Sequence, residues 1–201
     1  MNKRQLMIGV RKMILPALVT ALIVSVVQKA EAREDWGITL FGAVQAMGDM
    51  GNTMVSPDFD KEYSFAALGV SRKVYSLTTY IDLEVEGLVL KHMGKQYHEE
   101  FDLLLVARWL TFPWNRYIET TFAVGNGLSY SNEKAALEER LYGEKTSNLV
   151  NGMMFEWTFD VPYYQGWSLV WRFHHRSGVY GLYDGVRGAA NAMGIGLKYR
   201  F

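Results

Sequence analysis

A strict alternation of residue types at positions 191–201 limits the possible folds more than any other stretch of the sequence. From Met193 onward every second residue is apolar, and the residues between are small or polar. A period of two predicts a β-strand with one apolar and one polar face. A strand that ends on an aromatic residue, here Phe201, is typical of a barrel that closes within a membrane. We therefore expect the apolar face to contact lipid.

Strand-like segments recur through the rest of the chain. They lie at 36–46, 63–72, 75–89, 99–110, 117–128, 151–161 and 167–177, and alternation is unclear only at 63–72. The connections are short at 72–74, 111–115 and 162–166, intermediate at 91–98, and long at 47–62, 131–148 and 179–190. Short turns at one end and long loops at the other are typical of outer-membrane barrels. The sequence thus predicts an all-β fold, an eight-stranded antiparallel transmembrane β-barrel of the outer membrane.

The start of the sequence has the pattern of an export signal. Residues 1–12 carry four basic side chains, and residues 13–27 are mostly apolar and uncharged. The small residues Ala30 and Ala32 then flank Glu31, as at a signal-peptidase site. The apolar run is shorter than the roughly 20 residues of a membrane-spanning helix. We predict a signal peptide at 1–32, a barrel domain at 33–201, and a location in the bacterial outer membrane.

The charges of the chain argue for a packed lumen. There are 21 basic and 21 acidic residues, and this balance disfavours a nucleic-acid partner. The charged residues predicted to point inward are Asp82, Glu84, Glu86, Asp102, Arg108, Glu119, Glu156, Arg172, Lys198 and Arg200. A barrel of eight strands has a lumen filled by side chains, in which acids and bases must pair. We therefore predict a structural ionic core and not a transport pore.

A histidine and a serine share the lipid-facing parity of segment 167–177. His175 and Ser177 follow Trp171 and Phe173 on the odd positions, at the end nearest the long loops. Residues two apart on a strand lie about 6.5–7 Å apart at Cα, so an imidazole and a hydroxyl at this spacing can meet. This arrangement suits a base that activates a nucleophile. The alternative is that both are polar residues at the membrane interface.

The other histidines do not predict a metal site. His174 has inward parity and is expected in the lumen, while His92 and His98 lie at the ends of a loop without a recognisable ligand pattern beside them. We therefore predict neither a metal nor a cofactor.

The segment Phe173-His174-His175-Arg176-Ser177 and the terminal strand 197–201 resemble the outer-membrane lipid A 3-O-deacylases. The resemblance is specific over roughly the last 35 residues and architectural before them. It implies an esterase that removes the acyl chain at the 3-position of lipid A, with His175 as the general base and Ser177 as the nucleophile. The implied partners are lipid A or lipopolysaccharide and outer-membrane lipid.

Two positions depart from the family pattern. Asn191 stands where the family has a glutamate that orients the histidine. An asparagine can accept a hydrogen bond from the histidine but supplies no charge. Gly178 follows the serine where the family tends to have asparagine, so backbone N–H groups of Gly178 or nearby loop residues would have to stabilise the oxyanion.

The remaining expectations concern the substrate. The acyl chains are expected against Trp171 and Phe173, and the phosphates or sugars near Arg176 or Arg187.

The alternative function is a non-catalytic small barrel with a structural or surface-interaction role, in which loop 131–148 is the contact surface. A periplasmic lipocalin-like binder is disfavoured by the outward apolar parity. The sequence predicts no oligomeric state.

Overall fold

The structure is a computed structural model that describes residues 35–142 and 146–201. Its eight antiparallel strands form a closed barrel in which each strand pairs with its neighbours in sequence and β1 pairs with β8. The strands are β1 (Trp36–Met47), β2 (Asp58–Thr78), β3 (Ile81–Gly94), β4 (Glu99–Trp109), β5 (Thr120–Ser131), β6 (Leu149–Asp160), β7 (Trp167–Ser177) and β8 (Ala189–Arg200). The predicted fold class is confirmed. The predicted signal peptide lies outside the described residues.

Two short helices and a 3-10 turn lie in the long loops. Helix α1 (Met50–Val55) follows β1, helix α2 (Ala136–Tyr142) lies between β5 and β6, and the 3-10 helix Val179–Gly181 follows β7. Among the described residues, no helix is both long enough and apolar enough to cross a membrane. We call the end of the barrel that carries these loops the upper end.

Side chains alternate between the outer face and the lumen along each strand. In β4, Leu103 and Leu105 are each 58% exposed, whereas Leu104 and Val106 between them are buried. The outward row is apolar over most of the barrel, as expected of a surface that lies against hydrocarbon. Polar side chains on this face are therefore the exceptions that need an explanation.

The hairpin between β2 and β3 differs from the prediction. The expected turn at 72–74 is strand, and the chain turns instead at Thr79 and Tyr80. Residues 75–78 pair with 81–83 and extend below the start of β1, with register shifts after Lys73 and Ser76. The alternation of segment 75–89 continues through this turn, so one period-two pattern covers parts of two strands.

The lower half of the lumen holds a network of three acids and three bases, Glu84, Glu86, Glu156, Arg108, Arg172 and Lys198. Glu156 is its centre, because its carboxylate accepts hydrogen bonds from Arg108 (2.8 Å), Lys198 (2.6 Å) and Arg172 (3.0 Å). The expected ionic core is present. Glu119 is not part of it, since β5 begins at Thr120 and Glu119 lies exposed in the preceding turn.

An apolar layer separates this network from polar side chains higher in the lumen. Phe41 packs edge-on against Phe65, with ring centroids 5.8 Å apart. Below, the guanidinium of Arg172 lies 4.9 Å from the Phe41 ring, and above, Phe65 contacts His92 and His174 at 5.1 and 5.5 Å. The lumen thus has two polar regions with a packed apolar layer between them.

Barrel closure between β8 and β1 requires a glycine at position 196. A Cβ on Gly196 would lie 2.1 Å from the Leu40 carbonyl oxygen, whereas a Cβ on Gly87 would meet nothing closer than 4.0 Å. We expect Gly196→Ala to lower the free energy of unfolding by about 1–3 kcal/mol, the usual range for overpacking. Gly87→Ala is the matched control and is expected to leave stability nearly unchanged. Urea unfolding of the refolded barrels measures both, and equal midpoints would contradict the expectation.

Candidate active site on the outer face

His175 and Ser177 lie on the outer face of β7. The even-numbered residues of this strand point into the lumen, where Arg172 binds Glu86 and Glu156, and His174 binds Glu100. The opposite parity therefore faces outward, and the ring of Phe173 accordingly stacks on that of His175 at 6.4 Å. His175 is buried and Ser177 is half-buried. Phe173 is 0% exposed, so the expectation that acyl chains lie against its ring is wrong, whereas Trp171 is partly exposed.

Asn191 orients the imidazole of His175. The two residues are directly opposite each other in the β7–β8 register, and His175 Nδ1 lies 2.7 Å from Asn191 Oδ1. Asn191 Nδ2 donates to the Gly48 carbonyl oxygen at 2.8 Å, so the amide oxygen must face the histidine. An oxygen can only accept, and His175 therefore carries its proton on Nδ1. Its Nε2 then has a free lone pair, as a general base requires.

Helix α1 brings the Gly48 carbonyl to this place. The chain turns at Gly48, which has a left-handed φ of +101°, and Asp49 caps α1 by accepting from the Asn52 N–H at 2.9 Å. Thr53 of α1 is fully buried and its Oγ1 lies 3.5 Å from Asn191 Nδ2. The sequence pattern predicts only a long connection at 47–62. A glycine followed by an aspartate N-cap is the local signal that indicates this short helix.

Ser177 ends β7, two residues above His175. The hydrogen bonds among residues 35–142 and 146–201 do not include one from Ser177 Oγ to His175. The spacing of about 6.5–7 Å between alternate Cα atoms leaves the hydroxyl within reach of Nε2 by side-chain rotation. Catalytic hydrogen bonds often tighten only when substrate is bound.

Gly178 does not offer the free N–H that sequence analysis assigned to it. Its N–H already donates to the Gly188 carbonyl oxygen at 3.2 Å. The residue is held close to the loop, since a Cβ here would lie 2.0 Å from the Val186 carbonyl oxygen. The role of Gly178 is thus to let the loop approach β7 closely, and an oxyanion donor must come from elsewhere.

A pair of asparagines on the outer face was missed by sequence analysis. Asn126 and Asn151 exchange two amide hydrogen bonds of 3.2 Å, and Asn151 also donates to the Gly127 carbonyl oxygen at 2.8 Å. In the register of β6 and β7, Asn151 lies directly opposite Ser177. Residues opposite each other on one face have Cβ atoms about 4.5–5.5 Å apart. The amide of Asn151 thus lies beside the serine, with its two N–H groups donated to Asn126 and Gly127.

Arg176 is not part of this outer surface. Its guanidinium points into the lumen and donates to Ser129 Oγ and Glu138 Oε1, both at 2.9 Å. Because Arg176 has the inward parity, the expectation that it contacts the phosphates or sugars of the substrate is wrong. Arg187 lies exposed in the β7–β8 loop.

Two apolar grooves meet at Trp171 below the site. One has a volume of about 430 Å³ and is lined by Trp114, Trp157, Phe159 and Trp171. The other, of about 240 Å³, runs along β8 and β1 and includes Met193 and Ile195, the next outward residues after Asn191. The outer face therefore has apolar grooves that run down from the His175–Asn191 pair.

On the other side of the wall, the lumen holds what we call the upper cluster: His92, His98, Glu100, Asp102 and His174. Glu100 is fully buried and contacts His92 and His174, both at 2.9 Å. Burial and the nearby His92 lower the pKa of His98 to about 4, so this imidazole is neutral at neutral pH. The barrel brings together side chains that sequence analysis had treated separately.

Comparison with known proteins identifies the fold. No protein-family model matches the chain, and no curated protein is significantly similar to it. Among solved structures, the outer membrane enzyme PagL aligns with a TM-score of 0.54 at 14% identity, over 81% of this chain and 99% of that one. Neisserial surface protein A aligns with a TM-score of 0.47 at 8% identity, over 86% and 100%. At these identities the likeness to PagL is one of fold, that of a small outer-membrane β-barrel.

Proposed function

We propose that the protein is an outer-membrane lipid A deacylase, a serine esterase that hydrolyses the ester-linked acyl chain at the 3-position. The observation that carries the proposal is the hydrogen-bonded series Gly48–Asn191–His175 on the outer face. A polar chain that fixes a histidine tautomer is unexpected on a surface that faces lipid. It is expected if the imidazole acts as a base on a lipid substrate.

The reaction follows from this orientation. His175 Nε2 takes the proton of Ser177 Oγ as the oxygen attacks the ester carbonyl carbon, and a tetrahedral intermediate forms. When the intermediate collapses, His175 returns the proton to the sugar oxygen and the acyl chain remains on Ser177. A water molecule, deprotonated by His175, then attacks the acyl carbon, and as the chain leaves as a fatty acid His175 returns the proton to Ser177 Oγ. Asn191 keeps Nε2 directed at these oxygens throughout, although it supplies no charge to stabilise the imidazolium.

The oxyanion contact in this proposal belongs to the Asn126–Asn151 pair. Each asparagine amide has two N–H groups, and only one from Asn126 is used in a hydrogen bond among the described residues. Asn151 lies opposite Ser177 and Asn126 lies one strand further away. In this proposal the Asn151 N–H that binds Asn126 turns to the oxyanion, while its bond to the Gly127 carbonyl oxygen holds the amide in place.

The grooves below the site suit the acyl chains. Lipid in the outer leaflet has its head group at the upper end and its chains directed downward along the barrel. The groove that begins at Met193 lies below Asn191 and reaches Trp171. The apolar side chains of these grooves would bind the hydrocarbon while the ester lies at the level of His175 and Ser177.

Mass spectrometry of lipid A tests the proposal. We expect expression of the protein in cells with unmodified lipid A to remove one hydroxyacyl chain, and we expect Ser177→Ala to abolish the change. Ser168→Ala is the matched control because Ser168 lies on the same strand but points inward and binds Asp160. It is expected to retain activity. An unchanged profile from a folded wild-type barrel would refute the deacylase and favour the non-catalytic alternative.

A further inference from the structure

The upper cluster contains groups that bind metals. His92, His98 and Glu100 each offer one ligand atom, and these atoms all lie within 4.8 Å of one another. All three side chains are buried, at 2%, 2% and 0% exposure. Ligands held 2.0–2.2 Å from a zinc ion lie roughly 3–4 Å apart, so small side-chain rotations bring these atoms to coordination distance.

The formal charges of this region are unbalanced. Three carboxylates, Glu100, Asp102 and Glu138, lie near one guanidinium, that of Arg176. Glu100 and Asp102 also face the imidazole of His174. In the lower network, by contrast, three carboxylates meet three basic groups. Buried charge without compensation is strongly disfavoured. Arg176 is thus the one permanently charged base beside these carboxylates among the described residues, and a divalent cation bound by Glu100 would add positive charge next to them.

Several polar atoms of the upper cluster also lack partners. His98 Nε2 and both carboxylate oxygens of Asp102 are buried and make no hydrogen bond within the part of the chain that the structure describes. His174 Nδ1 is 3.7 Å from Asp102, beyond hydrogen-bond distance. Buried polar atoms are rarely left unpaired unless another group binds them. His98 is thus an unsatisfied, buried imidazole in contact with the other two potential ligands.

We propose that the upper cluster binds a divalent transition metal of the zinc class, with His92, His98 and Glu100 as ligands. Imidazole nitrogens together with a carboxylate favour such ions over Mg²⁺ and Ca²⁺, which prefer ligand sets made only of oxygen. The Gln96 amide nitrogen lies 2.8 Å from His92 Nδ1. On metal binding the amide would have to turn so that its oxygen accepts the Nδ1 proton and leaves Nε2 free for the ion. Asp102 and His174 are not ligands in this proposal and lie on the other side of Glu100.

The position of the site indicates its role. His92 belongs to β3, Glu100 and Asp102 to β4, His174 to β7, and His98 to the loop that joins β3 and β4. A bound ion would fix the upper end of the β3–β4 hairpin, since all three ligands lie on these strands and their loop. Its ligand Glu100 also contacts His174 on the facing wall, so the ion lies in the lumen and not on the outer surface that carries His175. The site is therefore a stabilising one and does not depend on the proposed esterase activity.

Zinc titration of the refolded, tag-free full chain tests the site. After chelator treatment, we expect calorimetry to show one Zn²⁺ per chain, and Zn²⁺ but not Mg²⁺ to raise the thermal unfolding midpoint. The substitution His98→Gln is expected to weaken Zn²⁺ binding at least tenfold and to remove the thermal shift.

The matched control is His175→Gln, since His175 lies on the outer face and is not a ligand. This variant is expected to bind Zn²⁺ as the wild type does. Circular dichroism establishes that each variant is folded, and His92→Gln provides a second ligand variant if His98→Gln does not fold. Absence of Zn²⁺ binding by the folded wild type, or equal loss of binding in His175→Gln, would overturn the proposal.

Discussion

Replacing His175 with glutamine is expected to lower the rate of acyl-chain release by about 10²–10⁴-fold, the usual contribution of a general base. Glutamine occupies similar space and can keep a hydrogen bond to Asn191 Oδ1, which lies 2.7 Å from the imidazole. It has no basic nitrogen for the proton of Ser177. The loss should therefore appear in kcat while the apolar grooves continue to bind lipid and KM changes little.

The measurement is the rate of fatty-acid release from lipid A in detergent micelles. Val89→Ala is a suitable control, because Val89 is an outward apolar residue of β3 that is 49% exposed and lies on the side of the barrel away from β7 and β8. It should retain the wild-type rate. If His175→Gln were as active as the wild type, the base would have to be another group and the outer-face mechanism would be wrong.

Replacing Glu156 with glutamine is expected to have the largest effect on stability. Glu156 is fully buried and accepts hydrogen bonds from Arg108, Arg172 and Lys198. The substitution removes the charge that compensates these bases and places an amide N–H against their own N–H donors. Breaking a buried ionic network in this way costs about 3–5 kcal/mol, so the free energy of unfolding should fall by that amount.

Urea unfolding in micelles provides the measurement. Glu62→Gln is the matched control, since Glu62 binds Lys95 at the surface and its side chain is 57% exposed. Exposed ion pairs contribute about 0–1 kcal/mol, and this variant should unfold almost as the wild type does. Equal losses in the two variants would mean that the lumen network does not stabilise the barrel more than a surface pair.

Strand positions followed from local pattern where the alternation was clear. The segment predicted at 167–177 coincides with β7, and the strand predicted at 99–110 differs from β4 by a single residue. The turn between β2 and β3 was predicted at 72–74 and lies instead at Thr79 and Tyr80, because the alternation continues through these two residues. Both are residues common in strands, and neither carries the glycine, proline or asparagine signal of a turn.

The candidate site likewise contains some residues that strand parity locates and others that only tertiary contacts bring to it. Parity alone directed His175 and Ser177 outward and His174 inward, because the side chains of a strand alternate regardless of its neighbours. Asn191 was located by resemblance, and its second partner, Gly48, lies 143 residues away in sequence. Asn151 reaches Ser177 only through the β6–β7 register.

Sidedness and strand number were thus readable in the linear chain, since each depends on the chemistry of nearby residues. The linear chain did not show which side chains meet across the lumen, because those contacts depend on how the barrel closes and on the offset between strands. Glu100 and His174 are 74 residues apart and touch only because β4 and β7 lie on facing walls. The tautomer of His175 and the upper cluster both arise from such long-range contacts, which local periodicity does not encode.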